Sequence, residues 1–275
     1  MSLTTWRLPA DRSPLRLLQL SDCHFLPQPG DTLMGVDTEK SFQAVLEALR
    51  RHPPWPPDLL LLTGDLVQEP LPPPYRRLHR YLAPLPCPWL ALPGNHDDPR
   101  LLEQILCGDS HHCAGQVILG DAWQLIALDS HLPGSHAGRL APSQLDWLRR
   151  CLERCRLPAL ITLHHPPIAV GSRWMDTMQL QNAETFWRRL EGHPQVKGIV
   201  FGHVHQAFNG RCRDIPLWSA PSTCFQFKPG SDDFALDALP PGWRWLELSP
   251  HGRLRTWVER LADLPGGLDF DAGGY

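Results

Sequence analysis

The chain has 275 residues, enough for one large domain with a sizeable core, and 42% hydrophobic against 20% charged residues excludes a disordered chain. Lys and Arg total 26 against 29 Asp and Glu, a formal net charge of -3, which disfavours nucleic acid as a bulk partner. No apolar run approaches the ~18 residues of a membrane span, and Met1–Pro14 holds no apolar signal core. No membrane partner is therefore expected, and the expected location is the cytoplasm. The eight cysteines form no Cys-x-x-Cys pair, so a zinc ribbon is excluded and reduced thiols are expected. The Pro-rich stretches His52–Pro57 and Pro70–Pro74 read as loops.

The elements alternate along the chain. Leu15–Leu20 is an apolar strand. Thr38–Arg51 is a helix, with Phe42, Val45, Leu46 and Leu49 at helical spacing. Asp58–Thr63 carries four successive leucines, a strand buried on both faces. Tyr75–Leu82 is a helix, Trp89–Leu92 a strand, Pro99–Leu106 a helix and Gln124–Asp129 a strand. Ser143–Arg154 is a helix with Ser143 as its cap and Leu145, Leu148 and Leu152 on one side. Ala159–Leu163, Ala183–Leu190 and Val196–Phe201 follow as strand, helix and strand. This order predicts an α/β domain. Near the end, Gln206–Phe208 and Arg211–Arg213 flank Asn209-Gly210 as a hairpin, and Trp243–Ser249 and Arg253–Glu259 flank Pro250-His251-Gly252 as a second. One domain with two sheets is expected over residues 1–263, with a loose tail over 264–275.

Five strands end in polar clusters: Ser21-Asp22-Cys23-His24, Thr63-Gly64-Asp65, Pro93-Gly94-Asn95-His96-Asp97, His164-His165-Pro166-Pro167 and Gly202-His203-Val204-His205. Sites in open α/β sheets form outside the carboxyl ends of strands, so these clusters are expected to converge. Each alone reads as a turn or a strand stop. Their joint occurrence, in order, points to a site. Asp, Asn and neutral imidazole suit borderline divalent ions such as Mn, Fe and Zn better than Ca or Mg. The candidate ligands are Asp22, His24, Asp65, Asn95, His164, His203 and His205. That is too many for one ion and suits two ions sharing a carboxylate, with Fe or Mn the expected pair. Gly-His-Val-His alternates, placing both imidazoles on one side of a strand. The glycines before Asp65, Asn95 and His203 allow close backbone approach. His52, His79, His111, His112, His193 and His251 are expected to be solvated, and the 11 tryptophans to serve packing.

These blocks resemble the signature of the calcineurin-like metallophosphoesterases, and within them the bacterial class III cyclic AMP phosphodiesterases. The closer likeness rests on Leu17–Asp22, Leu33–Thr38, Pro221–Pro229 and Ala238–Arg244. The resemblance implies a four-layer α/β/β/α sandwich closed by C-terminal antiparallel hairpins. It implies one ion on Asp22, His24, Asp65 and His205 and another on Asp65, Asn95, His164 and His203, with Asp65 bridging. His164 is chosen over His165 on the family's His-x-Pro spacing. The implied reaction is hydrolysis of 3′,5′-cyclic AMP to 5′-AMP by a hydroxide bridging the ions. The alternative is another phosphodiester, a phosphomonoester or a nucleotide anhydride.

In the same resemblance, His96 and Asp65 are catalytic, and His24, Asp65, Asn95, His96 and His205 line the substrate. Many relatives carry an Asp three or four residues after the bridging Asp, which orients the His corresponding to His96. Gln68 and Glu69 stand there instead, leaving Glu69 and Asp97 as candidates. Substrate discrimination is expected in the loops near Phe25–Met34, Arg173–Met178 and Ser222–Lys228, with residues around Thr223 and Phe225, or the loop carrying Met34, gripping the nucleoside. The competing reading of the Thr223 segment is a core strand leading into the final hairpin.

Overall fold

The computed structural model describes residues 4–9, 13–51, 53–108 and 111–274. The expectation for His52, and the tail's final Tyr275, lie outside them. In chain order the first elements are β1 (Thr5–Leu8), β2 (Leu15–Leu20), α1 (Thr38–Arg51), β3 (Leu59–Thr63), α2 (Pro72–Leu82), β4 (Trp89–Leu92), α3 (Pro99–Leu106) and β5 (His112–Cys113). There follow β6 (Gly115–Leu119), β7 (Trp123–Ala127), α4 (Pro142–Arg154), β8 (Ala159–Thr162), α5 (Arg173–Asp176), α6 (Ala183–Leu190) and β9 (Val196–Phe201). The rest are β10 (Asn209–Cys212), β11 (Ile215–Ser219), β12 (Gln226–Phe227), β13 (Leu236–Asp237), β14 (Gly242–Leu248) and β15 (Leu254–Arg260).

Two large sheets face each other. One runs β15-β14-β2-β3-β4-β5 and the other β1-β6-β7-β8-β9-β11-β10. Alternation along the strands sorts the side chains into layers. Leu15, Leu17, Leu59 and Leu61 point between the sheets and meet Leu125, Leu160 and Val200. Leu18, Leu20, Leu60 and Leu62 point outward to Phe42 and Val45 of α1 and Leu78 of α2. On the far side Ile126, Ile161 and Ile199 pack on Leu145 and Leu148 of α4 and Phe186 of α6. This is the expected α/β/β/α sandwich, and the four leucines of β3 are buried on both faces. The antiparallel pair β14–β15 closes one sheet beside β2.

Two buried polar side chains stitch the sheets together. The Gln19 amide donates to Thr63 Oγ1 at 2.9 Å and across the interface to the Phe201 carbonyl at 2.8 Å. Arg244 reaches from β14 to the Ser219 carbonyl at 3.0 Å and the Phe208 carbonyl at 3.1 Å. Burial alone lowers its pKa to about 10.

Several local readings change. The β10–β11 hairpin turns at Arg213 and Asp214, whose φ values of 46° and 65° suit a tight primed turn. Asn209-Gly210 instead opens β10, paired with Trp218 and Leu217 of β11. Helix α4 starts at Pro142 and has no side-chain cap, so Ser143 lies inside it. Helix α2 likewise starts earlier than expected, at Pro72. Strands β1 and β6 pair in parallel and were not expected: β1 alternates over only four residues, and β6 has no polar alternation. Cys107 and Cys113 are joined as a disulfide, brought together by the Gly108–His111 bridge, contrary to the reduced state expected. Of the histidines expected to be solvated, His251 is exposed, while His79, His111, His112 and His193 are half-buried. His111 stacks flat on Trp89. No helix among the described residues is long and apolar enough to cross a membrane.

The described residues of the tail are tied down. Asp269 N–H donates to the Met34 carbonyl at 3.0 Å, and Leu268 packs on the core. Gly35, at φ 76°, lies so close to Gly267 that a Cβ would overlap its carbonyl. Gly35→Ala should therefore release the tail. Limited proteolysis should cut within residues 264–274 faster than in the wild type. The unfolding free energy should fall by about 1–3 kcal/mol, the cost of a left-handed non-glycine residue.

Candidate metal centre

The carboxyl ends of β2, β3 and β4 from one sheet meet those of β8 and β9 from the other, and all seven candidate ligands come together there. Backbone bonds lock the loops: Asp22 N–H to the Gly64 carbonyl, His24 N–H to the Asp65 carbonyl, and Gly202 N–H to the His164 carbonyl, at 3.0, 2.9 and 3.0 Å. The approach is so close that a Cβ on Gly64 would overlap the His164 ring, and one on Gly94 the Asp65 carboxylate. Asp22, His24, Asp65, His203 and His205 all adopt left-handed backbone, with φ of 55°, 46°, 49°, 69° and 47°. His203 and His205 therefore lie beyond the end of β9 and not on a strand. They converge through backbone curvature rather than strand alternation. Such conformations are retained where the surroundings over-determine them.

Each carboxylate is held by one oxygen and presents the other. Asp22 Oδ1 accepts the His203 N–H at 3.0 Å, and Asp65 Oδ1 accepts the His96 N–H at 3.0 Å. Asp22 Oδ2 and Asp65 Oδ2 are buried without a hydrogen-bond partner. The imidazoles are oriented from behind. The Nδ1 of His24 faces Gln68 Oε1 at 2.8 Å, that of His164 the Thr63 carbonyl at 2.7 Å, and that of His205 the Phe225 carbonyl at 3.0 Å. Each acceptor fixes the proton on Nδ1 and turns the Nε2 lone pair inward.

The Nε2 atoms of His24 and His205 consequently face each other at 3.1 Å. Two lone pairs at that distance repel unless a cation lies between them. Donors on one ion at about 2.1 Å stand roughly 3–3.5 Å apart. His24–His205 meets that spacing, as does His164 Nε2 with His203 Nδ1 at 3.2 Å, Asp65 Oδ2 at 3.3 Å and Asn95 Oδ1 at 3.3 Å. The donor set therefore fits divalent ions of the imidazole–carboxylate type.

The electrostatics agree for three of the four imidazoles. Burial, with neighbouring imidazoles, lowers the pKa of both His24 and His203 to about 3 and pushes His205 well below its ordinary value. These rings are neutral and able to ligate. Burial pushes the Asp65 carboxyl up, but His164 foremost, with His96 and His24, outweighs it and holds Asp65 well below the usual carboxylate range. Burial and then Asp65 raise Asp22, although His164 opposes them. His164 is the exception: against its burial, Asp65 and Asp22 raise it to about 9, so its Nε2 carries a proton that a bound ion would displace.

The supporting residues differ from those expected. His96 Nδ1 faces the Gln68 carbonyl at 3.1 Å, so a backbone oxygen orients it. Glu69 is exposed. Asp97 turns away from His96 and pins the loops, accepting from Gly94 N–H at 2.8 Å, Leu66 N–H at 3.2 Å and the Tyr75 hydroxyl at 2.8 Å. His165 has its Nδ1 on the Ser130 hydroxyl at 2.8 Å, whereas His164 faces Asp65 and Asn95.

Thr223 and Phe225 are fully buried, so a nucleoside cannot reach them. Their segment is scaffolding: Thr223 N–H donates to the Ser21 carbonyl, the Ser222 hydroxyl to the Asp22 carbonyl, and Phe225 holds His205. The Met34 loop is a two-residue turn between Leu33 and Val36, half-buried under the tail. Neither role is readable from the motifs alone. Gln68 carried a signal in its place three residues after Asp65.

Residues 15–207 match the family of calcineurin-like phosphoesterases, and the chain belongs to that family. Fold, donor set and family together define a metal-dependent phosphoesterase. Over 263 residues the chain is 43% identical to 3′,5′-cyclic adenosine monophosphate phosphodiesterase CpdA of Vibrio vulnificus, with 95% of each chain covered. It is 38% identical over 268 residues to the protein of that name from Pseudomonas aeruginosa, with 97% of each covered. A dimetal phosphatase from Danio rerio shares the fold, with a TM-score of 0.60 at 14% identity over 90% of this chain and 99% of that one. Purple acid phosphatase PPD1 from yellow lupin does so too, at 0.60 and 12% identity over 92% of this chain and 52% of that one.

Asp97→Ala should destabilise the protein by about 3 kcal/mol or more, since three buried donors lose their acceptor at ~1–3 kcal/mol each. Urea unfolding measures it. Asp97→Asn, which keeps one acceptor oxygen, should lose less.

Proposed function

We propose that the chain is a cytoplasmic enzyme that hydrolyses 3′,5′-cyclic AMP to 5′-AMP with two divalent ions, iron or manganese. The observation that carries the dinuclear reading is the pair of orphaned oxygens, Asp22 Oδ2 and Asp65 Oδ2, set among inward-facing imidazoles. The substrate rests on the likeness to the cyclic AMP phosphodiesterases, which spans nearly the whole chain. Asp22, His24, Asp65 and His205 would hold one ion, and Asp65, Asn95, His164 and His203 the other. When bound, the ions would supply a bridging hydroxide at neutral pH and offset charge on the phosphoryl oxygens.

The chain's own groups do the rest. Asp65 would be shared by the two ions, since its carboxylate lies between His24 and His164, 3.9 and 3.3 Å from their Nε2 atoms. Asn95 and His96 are half-buried at the open side of the cluster, where the substrate phosphate must lie. With Nδ1–H tied to the Gln68 carbonyl, His96 in its imidazolium form carries a second proton on Nε2, and that is the proton it would deliver. The P–O3′ bond breaks as the P–OH bond forms, and the leaving 3′-oxygen takes that proton. A general acid is worth about 10²–10⁴-fold, so the ions carry most of the acceleration.

Metal analysis of the purified protein under saturating iron or manganese should give about two ions per chain, and one alone would refute the dinuclear reading. Asp65→Asn should empty both positions, whereas Asp22→Ala should weaken mainly one. His96→Ala should keep both ions yet lose about 10²–10⁴-fold in turnover, partly regained on a phosphodiester with a very good leaving group. Loss of metal together with activity would make His96 a ligand instead. Kinetics on cyclic AMP, cyclic GMP and an aryl phosphodiester test the substrate. Equal kcat/KM on all three would leave a generic phosphodiesterase.

A further inference from the structure

A cavity of about 200 Å³ opens beside the ligand cluster. At one end it is lined by Asn95, His96 and His203, and at the other by Trp174, Met178 and Phe234. Phe227 forms its back. Its ring stacks on the His205 imidazole at 4.2 Å and meets Trp174 edge-on at 5.0 Å and Phe234 at 5.6 Å. Trp174 and Phe234 also meet edge-on, at 5.4 Å. An aromatic box therefore continues directly from a candidate ligand.

Three properties define what fits. First, no Asp, Glu, Lys or Arg among the described residues lines the cavity, so it suits a neutral group and not a second phosphate. Second, it is smaller than the ~300–1,000 Å³ of pockets that enclose a whole drug-sized ligand, so it holds one flat ring system and not two. Third, the Trp174 Nε1–H is buried with no hydrogen-bond partner. Buried indole donors ordinarily find an acceptor, and a ring nitrogen is one. Gly274 forms part of the wall, brought there by the tail anchored through Asp269 and Met34.

We propose that this cavity is the nucleobase subsite, in which a purine lies against Trp174 and Phe234 while the phosphate rests by Asn95 and His96. The proposal depends on the cyclic mononucleotide reading above and supplies the recognition that metal ligands cannot, since ions grip only the phosphate. It replaces the Thr223–Phe225 segment as the source of base preference.

The test compares kcat/KM for 3′,5′-cyclic AMP with that for the 3′,5′-cyclic phosphate of 1-deoxyribose, which has no base. In Trp174→Ala and in Phe234→Ala the ratio of the two should fall by about 10- to 100-fold, the range of base–aromatic stacking, mainly through KM. Trp174→Phe, which keeps a ring and loses only the N–H, should lose far less. Calorimetric titration of adenosine into the holoenzyme gives a readout independent of turnover. Wild type should bind adenosine, and Trp174→Ala should bind it at least about 10-fold more weakly. If Trp174→Ala fails to fold, Phe234→Ala, on the half-buried wall, decides. An unchanged ratio with unchanged adenosine binding in the alanine variants overturns the subsite. Wild type that binds adenosine through Trp174 yet hydrolyses neither cyclic phosphate would overturn the phosphodiesterase reading and leave the subsite standing.

Discussion

Two buried carboxylates govern this molecule. Asp22 and Asp65 each give one oxygen to a backbone N–H from a facing loop and leave the other without a hydrogen bond. Burying such oxygens is costly unless a cation meets them. The surroundings are built to make that possible: His24 and His205 held neutral by burial, the outer nitrogens of His24, His164 and His205 tied to Gln68, Thr63 and Phe225, and the inner nitrogens of His24 and His205 crowded to 3.1 Å. Glycines 64 and 94 are needed because no side chain fits between those loops.

The two sheets contribute unequally but jointly. Asp22, His24, Asp65 and Asn95 follow strands of one sheet, and His164, His203 and His205 follow strands of the other. Gln19 and Arg244 hold the sheets in register where apolar packing alone would leave sliding inexpensive. A polar side chain in an apolar interface is therefore part of the machinery that places the ligands.

The core elements were legible because their signals are local. The spacing of Phe42, Val45, Leu46 and Leu49 marks α1 within its own length, and the leucine run marks β3. The ligands were legible because five polar clusters each follow an apolar strand. What escaped depends on distant partners. Asn209-Gly210 has the composition of a turn, yet it pairs with Leu217 and Trp218 of β11, and the chain reverses at Arg213-Asp214. Asp97 has the chemistry of an orienting carboxylate, but Gly94 in its own loop and the distant Leu66 and Tyr75 draw it away from His96. The backbone carbonyls of Thr63, Gln68 and Phe225 leave no mark in a sequence, because every residue has one. Thr223 and Phe225 resembled recognition residues through their closeness to a known pattern, but both are buried and hold the ligand loops.

Strand β14 lies directly beside β2, with Trp245 opposite Leu18, and the Arg16–Glu247 pair that joins them spans 231 residues of chain. The loop that carries Asp22 and His24 thus emerges from a strand flanked on one side by β3 and on the other by a segment made more than two hundred residues later. On the ribosome, a nascent chain that already contains every ligand still lacks the strand that fills this sheet. Assembly of the centre is consequently a late event in the life of each molecule, and the high sequence separation of its contacts makes it a slow one. A prematurely ended translation product would carry the whole ligand set and no working site.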